Sequence, residues 1–268
     1  MRNEAEWGDE LALALTAARE AASILEGRAG ADRIREKGRA DLVTDVDEAA
    51  ERAIEARVRA AFPGDAFVAE EFSASERPGG RQWIVDPVDG TVNYVHGHPF
   101  ACVSVAFADG SGPAVAVIDA PFLGEIYHAV RGRGAFLNGT PISVSRVGDA
   151  SGALLATGFP FKAGKGEIEP YLRLVGRMVA STHGVRRAGA AALDLAYVAA
   201  GRVDGFFEIG LSPWDVAAGM LLVTEAGGTV SGWPGDSDPP LSTGRVIASN
   251  GTLHPWLAEQ IGEFVPPL

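Results

Sequence analysis

The sequence has very little cysteine, no long hydrophobic run and fewer basic than acidic residues. Cys102 is the only cysteine among 268 residues, which excludes an intrachain disulfide framework and a thiolate metal cluster, and we expect it in the buried core. With 23 Lys and Arg against 35 Asp and Glu, the formal net charge is −12. Neither nucleic acid nor an anionic membrane surface is therefore an expected partner. No apolar run approaches the ~20 residues of a membrane span, and the acidic N-terminus does not resemble a secretory leader, so we expect a soluble cytoplasmic protein.

Hydrophobic periodicity predicts a mixed α/β chain, and we interpret residues 1–268 as a single domain. Helices are predicted at 4–26, 44–61, 168–180, 190–200 and 213–226 and from 253 onward. Strands are predicted at 67–69, 82–85, 101–108, 114–118, 125–130, 153–157, 205–208, 228–231 and 246–248. The three strands between 101 and 130 indicate an antiparallel meander. The proline-rich segment 233–240 is interpreted as a surface loop.

Acidic residues gather at the predicted strand ends and helix starts. They are Asp41, Asp45, Asp47, Glu70, Glu71, Asp86, Asp89 and Asp215. A fold can bring such positions together at one edge of a sheet, where the carboxylates would repel one another. A divalent cation relieves that repulsion, and all-oxygen ligands favour Mg²⁺ or Mn²⁺ over zinc.

The segment 83–93 (WIVDPVDGTVN) carries the sharpest signal. Asp86 ends a strand, Pro87 holds the turn and Asp89 returns to the same side. Gly90 and Thr91 then open the next segment with backbone N–H groups suited to a phosphate. Potential metal ligands and an anion site within six residues indicate phosphoryl transfer.

Together these residues resemble the inositol monophosphatase family. The matching segments are 41–47 (DLVTDVD), 70–71 (EE), 86–93 (DPVDGTVN), 214–219 (WDVAAG) and 225–228 (EAGG), in the family's order. The resemblance implies a layered α-β-α-β-α sandwich of the sugar-phosphatase type, of α/β (α+β) class. It also implies a phosphatase that is sensitive to lithium, is closest to bacterial inositol-1-monophosphatase and forms a homodimer through residues 184–187 and 190–200.

The resemblance further implies a role for each matching position. Two or three Mg²⁺ ions would be held by Glu70, Asp86, the carbonyl of Val88, Asp89 and Asp215. Asp47 and Thr91, with Glu70, would form the catalytic group that activates water. The substrate would contact Asp89, Gly90, Thr91, Ala191, Glu208 and Asp215. No covalent enzyme intermediate is implied, because a metal-activated water attacks phosphorus in line.

Simpler structural roles exist for several of these residues. Asp47 and Asp215 both follow a Ser or Thr at the spacing of a helix-capping box, which would explain either carboxylate without chemistry. Glu71 fits a solvated carboxylate as well as a ligand, and Glu208 fits an exposed strand end. His96 and His98 flank Gly97 and are interpreted as a surface turn rather than as bases.

The sequence leaves the substrate open. A small phosphorylated polyol such as inositol monophosphate is expected from the segments around Ala191 and Glu208, which resemble the inositol-phosphate branch. Histidinol phosphate, a phosphorylated amino alcohol with a cationic amine, would also suit an acidic pocket. Another small sugar phosphate is a further alternative substrate. A non-catalytic regulatory or interaction protein on the same scaffold is the alternative of a different class. The sequence departs from the family's usual residues at Ala69, Phe72, Tyr94 and Ala190, and none of these changes removes a proposed ligand.

Overall fold

Two β-sheets lie at the centre of the fold, in a computed structural model that describes residues 6–27, 34–38, 41–72, 80–160 and 165–264. The helices are α1 (Gly8–Gly27), α2 (Asp45–Ala61), α3 (Thr91–Val95), α4 (Lys165–Ser181), α5 (Ala191–Ala199), α6 (Pro213–Glu225), α7 (Pro240–Thr243) and α8 (His254–Phe264). The strands are β1 (Ile34–Gly38), β2 (Asp41–Thr44), β3 (Ala66–Ala69), β4 (Gln82–Asp89), β5 (Cys102–Asp109), β6 (Gly112–Ala120), β7 (Glu125–Val130), β8 (Ala135–Leu137), β9 (Thr140–Ile142), β10 (Leu154–Thr157), β11 (Gly184–Arg186), β12 (Gly205–Glu208), β13 (Thr229–Ser231) and β14 (Val246–Ser249). None of the helices in these described ranges combines the length and apolar character needed to cross a membrane.

The two sheets differ in topology. The large sheet has seven strands in the order β3 to β9, antiparallel throughout except for the parallel pair β3 and β4. The small sheet has five strands in the order β11-β10-β12-β14-β13. Its first three strands are parallel, and β14 is antiparallel to both of its neighbours. Three parallel strands therefore end at the same edge of the small sheet.

Helices cover both faces of each sheet. Helices α1 and α2 pack on one face of the large sheet, α5 and α6 lie between the two sheets, and α4 and α8 cover the outer face of the small sheet. Central strands β5 and β6 are buried on both faces. Their sequences are therefore nearly continuous apolar runs. The layers follow the order α-β-α-β-α, and this confirms the fold class expected from the sequence.

The predicted elements are confirmed over most of the described chain, including the antiparallel meander and the burial of Cys102. The first helix begins at Gly8, because Trp7 adopts a left-handed φ of 66°, and position 4 lies outside the described residues. The hairpin of β1 and β2, the short strands β8, β9 and β11, and the short helices α3 and α7 were not predicted. His96 and His98 are exposed, as predicted for a surface turn.

The segment 233–240 is irregular, but it is not entirely a surface loop. It lacks regular structure before Pro240, but Trp233 is 3% exposed and stacks on Tyr171 at a ring-centre distance of 6.1 Å. The prediction of a surface loop was therefore wrong at Trp233, since this aromatic ring belongs to the core beneath α4 and α8.

Candidate active site

Strand β4 supplies two acidic side chains at its carboxyl end. Asp86 pairs with Ser104 of β5 and Asp89 pairs with Cys102, so the strand carries one extra residue between the two aspartates. In a regular strand, residues three apart point to opposite faces, and a bulge of this kind restores the same side. The Oδ1 atom of Asp86 accepts a hydrogen bond from the Val88 amide at 3.0 Å, which fixes the turn.

Helix α2 brings Asp47 to the end of β4. Its Oδ2 accepts hydrogen bonds from the Thr44 amide, at 3.0 Å, and from the Thr44 hydroxyl, which forms the helix-capping box. Its Oδ1 instead faces the Thr91 hydroxyl at 3.1 Å, and the Val88 carbonyl lies 3.0 Å from the same hydroxyl. Oδ2 of Asp47 thus caps the helix, while Oδ1 of the same carboxylate faces Thr91. Burial raises the pKa of Asp47, against the hydrogen bonds from Thr44 and Thr91.

Helix α6 places Asp215 on the opposite side of the same cluster. Its Oδ2 accepts a hydrogen bond from the Ser212 amide at 2.7 Å, again as part of a capping box. The helix packs against β4 and β5, where the Ser104 hydroxyl donates to the Trp214 carbonyl at 3.3 Å. Asp215 therefore reaches Asp86 and Asp89 because a helix from the second half of the chain lies on the large sheet.

The buried aspartates strongly influence one another. Burial, followed by the charges of Glu70, Asp89 and Asp215, raises the pKa of Asp86 well above its usual value. Burial and the Asp215 charge raise the pKa of Asp89 to about 8, against backbone amides that include the Ala192 N–H at 2.7 Å from Oδ2. Carboxylates held this close at neutral pH require a proton or a cation to offset their repulsion.

The donor set fits a hard divalent cation. Among the residues that the structure describes, no group of three or more His, Cys, Asp or Glu side chains is arranged to hold a metal ion directly. The fit rests instead on chemistry: the groups that repel one another at the end of β4 are all oxygen donors on a rigid strand and helix. Mg²⁺ commonly uses one or two carboxylates and keeps several waters, so it does not need a closed cage.

Gly90 adopts a conformation that other residues avoid. Its φ is 91°, and a β-carbon there would lie 2.9 Å from the Phe100 carbonyl oxygen. Helix α3 follows directly, and the amides of its first turn have no partner within the helix. The Asn93 amide group then donates to the carbonyls of Phe100, at 2.7 Å, and Ala188, at 2.8 Å, which ties this turn to the start of α5.

Glu70 follows β3, the parallel neighbour of β4, and its charge acts on Asp86. The turn after it is held by Glu51, a fully buried carboxylate of α2 that accepts hydrogen bonds from the Glu71 and Phe72 amides at 2.7 and 2.8 Å. Sequence reasoning missed Glu51. The available signal was a charged residue on the apolar stripe of α2, between Asp47 and Ile54.

Glu208 and Ala191 border the cluster from the small sheet and from α5. Glu208 ends β12, is only partly exposed, and has its pKa raised to about 8 by burial and then by the charges of Asp215 and Asp89. Ala191 begins α5 and is 7% exposed. The structure thus brings Glu208 to the aspartates rather than leaving it as an isolated exposed strand end.

The layered α-β-α-β-α fold and the acidic site at the carboxyl end of β4 define an α/β protein of the layered-sandwich class. The chain belongs to the inositol monophosphatase family, whose model matches residues 7–265. The family predicted from the sequence is confirmed.

Relatives in this family carry two kinds of name. The chain is 44% identical to "Nus factor SuhB" of Pseudomonas aeruginosa, over 96% of this chain and 97% of that protein. It is 42% identical to "Inositol-1-monophosphatase" of Synechocystis, over 85% of this chain and 79% of that protein. Among solved structures, the inositol monophosphatase from Anabaena is 38% identical with a TM-score of 0.85, covering 96% of this chain and 97% of that one.

Proposed function

We propose that the protein is a Mg²⁺-dependent phosphomonoester hydrolase that removes phosphate from inositol monophosphate. The observation that carries this proposal is the Thr91 hydroxyl, held 3.1 Å from Asp47 Oδ1 beside the buried carboxylates of Asp86, Asp89 and Asp215. A group that activates water next to a divalent-cation site is the arrangement that phosphate ester hydrolysis requires.

The side chains of Glu70, Asp86, Asp89 and Asp215 and the carbonyl of Val88 would hold two or three Mg²⁺ ions, and Mn²⁺ has the same ligand preference. When bound, these ions supply Lewis-acid chemistry, which lowers the pKa of water and offsets charge on the phosphate and on the leaving oxygen.

The chain's own residues would orient the water and remove its proton. The Thr91 hydroxyl can donate its proton to Asp47 Oδ1 and accept a hydrogen bond from the water with its oxygen. Asp47 is a stronger base than an exposed aspartate because burial raises its pKa. The water attacks phosphorus as the ester P–O bond breaks, the alcohol leaves with a proton, and the phosphate rests on the amides that follow Gly90.

A second candidate is a regulatory or interaction role without turnover, which the name of the Pseudomonas aeruginosa relative favours. Histidinol phosphate and other small sugar phosphates are the alternative substrates within the enzyme class. We also propose a homodimer, inhibition by lithium, and a single domain that spans residues 1–268.

The test is phosphate release by the purified protein, with and without Mg²⁺. Parallel substrates are myo-inositol 1-phosphate, histidinol phosphate, fructose 1,6-bisphosphate and adenosine 3′,5′-bisphosphate. We expect metal-dependent release, with the highest kcat/KM for inositol 1-phosphate. Absence of metal-dependent release from all four substrates would refute the enzymatic function and favour the interaction role.

Asp86→Asn should reduce this turnover by at least about a hundredfold, because it removes a proposed ligand while leaving the shape of the site unchanged. Asp119→Asn is the matched control. Asp119 is also a buried aspartate of the large sheet, it is not a proposed ligand, and the charges of Arg19 and Glu26 of α1 act on it. Near-normal turnover by Asp86→Asn, measured with the fold verified by circular dichroism, would contradict the metal assignment.

A further inference from the structure

Residues from three neighbouring strands meet at Glu208, which with Ala191 is expected to contact the alcohol part of the substrate and to form an alcohol pocket. Strands β11, β10 and β12 are parallel and adjacent, so they end at one edge of the small sheet. Arg187 follows β11, Gly158 follows β10, and Glu208 ends β12. The carboxyl ends of parallel strands are where α/β proteins bind ligands. Arg187 and Glu208 therefore share one edge although 21 positions separate them in the sequence (208 − 187).

Two neighbouring groups border the Arg187 guanidinium, although the residue as a whole is exposed. A β-carbon at Gly158 would overlap the Glu208 carboxylate, and the next residue, Phe159, lies under Arg187 with 5.4 Å between Cζ and the ring centre. On the other side, a β-carbon at Gly189 would lie 2.6 Å from Nη1 of Arg187. The guanidinium is thus placed between Phe159 and Gly189, at the start of α5.

The charge of Arg187 acts on the acids of the pocket. It opposes the effect of burial on the pKa of Glu208 and of Asp194, a residue of α5 that is 3% exposed. Glu208 in turn interacts with Asp89 and Asp215 of the acidic cluster. The cation therefore lies on the Glu208 side of the site, where the alcohol part of a substrate would be bound.

We propose that Arg187 is a specificity-determining residue that selects phosphates of neutral polyols over phosphates of amino alcohols. A hydroxyl group can donate to the Glu208 carboxylate and accept from the Arg187 guanidinium, so it satisfies both. An ammonium group has only donors, and Arg187 repels it. Discrimination of this kind needs a repulsive element as well as an attractive one. The inference rests on the proposed function, because it concerns the alcohol pocket of the same site.

The experiment compares kcat/KM for myo-inositol 1-phosphate with kcat/KM for histidinol phosphate in the full-length protein with Mg²⁺. Arg187→Ala should shift this ratio about tenfold toward histidinol phosphate, the order expected for two unit charges a few ångströms apart when water screens them, as it does at the exposed Arg187. Arg187→Lys keeps the charge and should stay within about threefold of the wild-type ratio. Arg186→Ala, at the neighbouring arginine that is exposed like Arg187, makes the same change in net charge and should leave the ratio unchanged.

The possible outcomes separate the two proposals. A wild-type protein without Mg²⁺-dependent turnover refutes the proposed function and this inference together. An active wild type whose ratio is unaltered by Arg187→Ala, or is altered equally by Arg186→Ala, refutes only the role of Arg187. The ratio is measured at two protein concentrations a hundredfold apart. A shift that appears at only one of them indicates an effect of assembly and overturns the electrostatic explanation.

Discussion

At the scale of single residues, Asp47 and Asp215 show that one carboxylate can both cap a helix and belong to the acidic cluster at the end of β4. Each carboxylate uses Oδ2 for the N-cap residue, and Asp47 presents Oδ1 to Thr91. From the sequence alone these two roles are alternatives, because the spacing of a capping box does not show where the second carboxylate oxygen points. Replacing either aspartate should therefore alter stability together with the proposed turnover, whereas Asp86 caps no helix.

Gly90 offers a sharper test at this scale. Gly90→Ala should lower kcat/KM about a hundredfold, because the new β-carbon would meet the Phe100 carbonyl and displace the turn that carries Thr91. Gly97→Ala is the matched control, since Gly97 also has positive φ (68°) but has no heavy atom within 4 Å of a built β-carbon. We expect Gly97→Ala to lose roughly 1–2 kcal/mol of stability and to keep its turnover. Equal activity losses in both variants would exclude a specific role for the Gly90 turn.

At the scale of elements, the close approach of α5 and α6 positions both sides of the site. Helix α5 supplies the Ala192 amide to Asp89, and α6 supplies Asp215. Their contact depends on Gly219, where a β-carbon would lie 2.5 Å from the Leu195 β-carbon. Small residues on these helices allow the two sheets to share one site.

Gly219→Ala should therefore destabilise the protein by about 1–3 kcal/mol through overpacking. Gly176→Ala provides the comparison, because Gly176 lies in α4 with open space around a built β-carbon. That variant should gain up to about 1 kcal/mol from helix propensity. Urea unfolding measures both changes, and a neutral Gly219→Ala would show that the helix contact can relax.

The sequence predicts local elements well because their signals are local. Capping residues, apolar spacing and turn residues identify α2, α6 and the meander of β5 to β7. The order of the strands within a sheet leaves no such local signal. The proximity of Arg187 and Glu208, which depends on that order, could therefore not be predicted. Trp233 was misassigned for a related reason: proline-rich composition describes the segment, whereas the tertiary contact with Tyr171 buries this one ring. The bulge in β4 likewise depends on pairing with β5.

At the scale of the whole molecule, a net charge of −12 and a buried acidic cluster predict that divalent cations stabilise the fold. A ligand that binds only the folded state at about 100 times its Kd adds about 2.7 kcal/mol, or roughly 5–10 °C in Tm for a chain of this size. Thermal unfolding with Mg²⁺ and with NaCl at equal ionic strength separates specific binding from screening. Asp86→Asn should abolish the Mg²⁺ shift and Asp119→Asn should retain it. An equal shift with NaCl would contradict specific binding.

The assembly of one site from two sheets also affects how the protein is made. Asp86 and Asp89 leave the ribosome before Asp215, which follows Asp86 by 129 residues (215 − 86). At about 5–20 residues per second, this delay lasts roughly 6–26 s. Until α6 has been synthesised, the nascent large sheet lacks both its covering helix and one acid of the cluster. The site is therefore a late product of translation, and a chain that stops before residue 215 has the strand of the site without the complete acidic cluster.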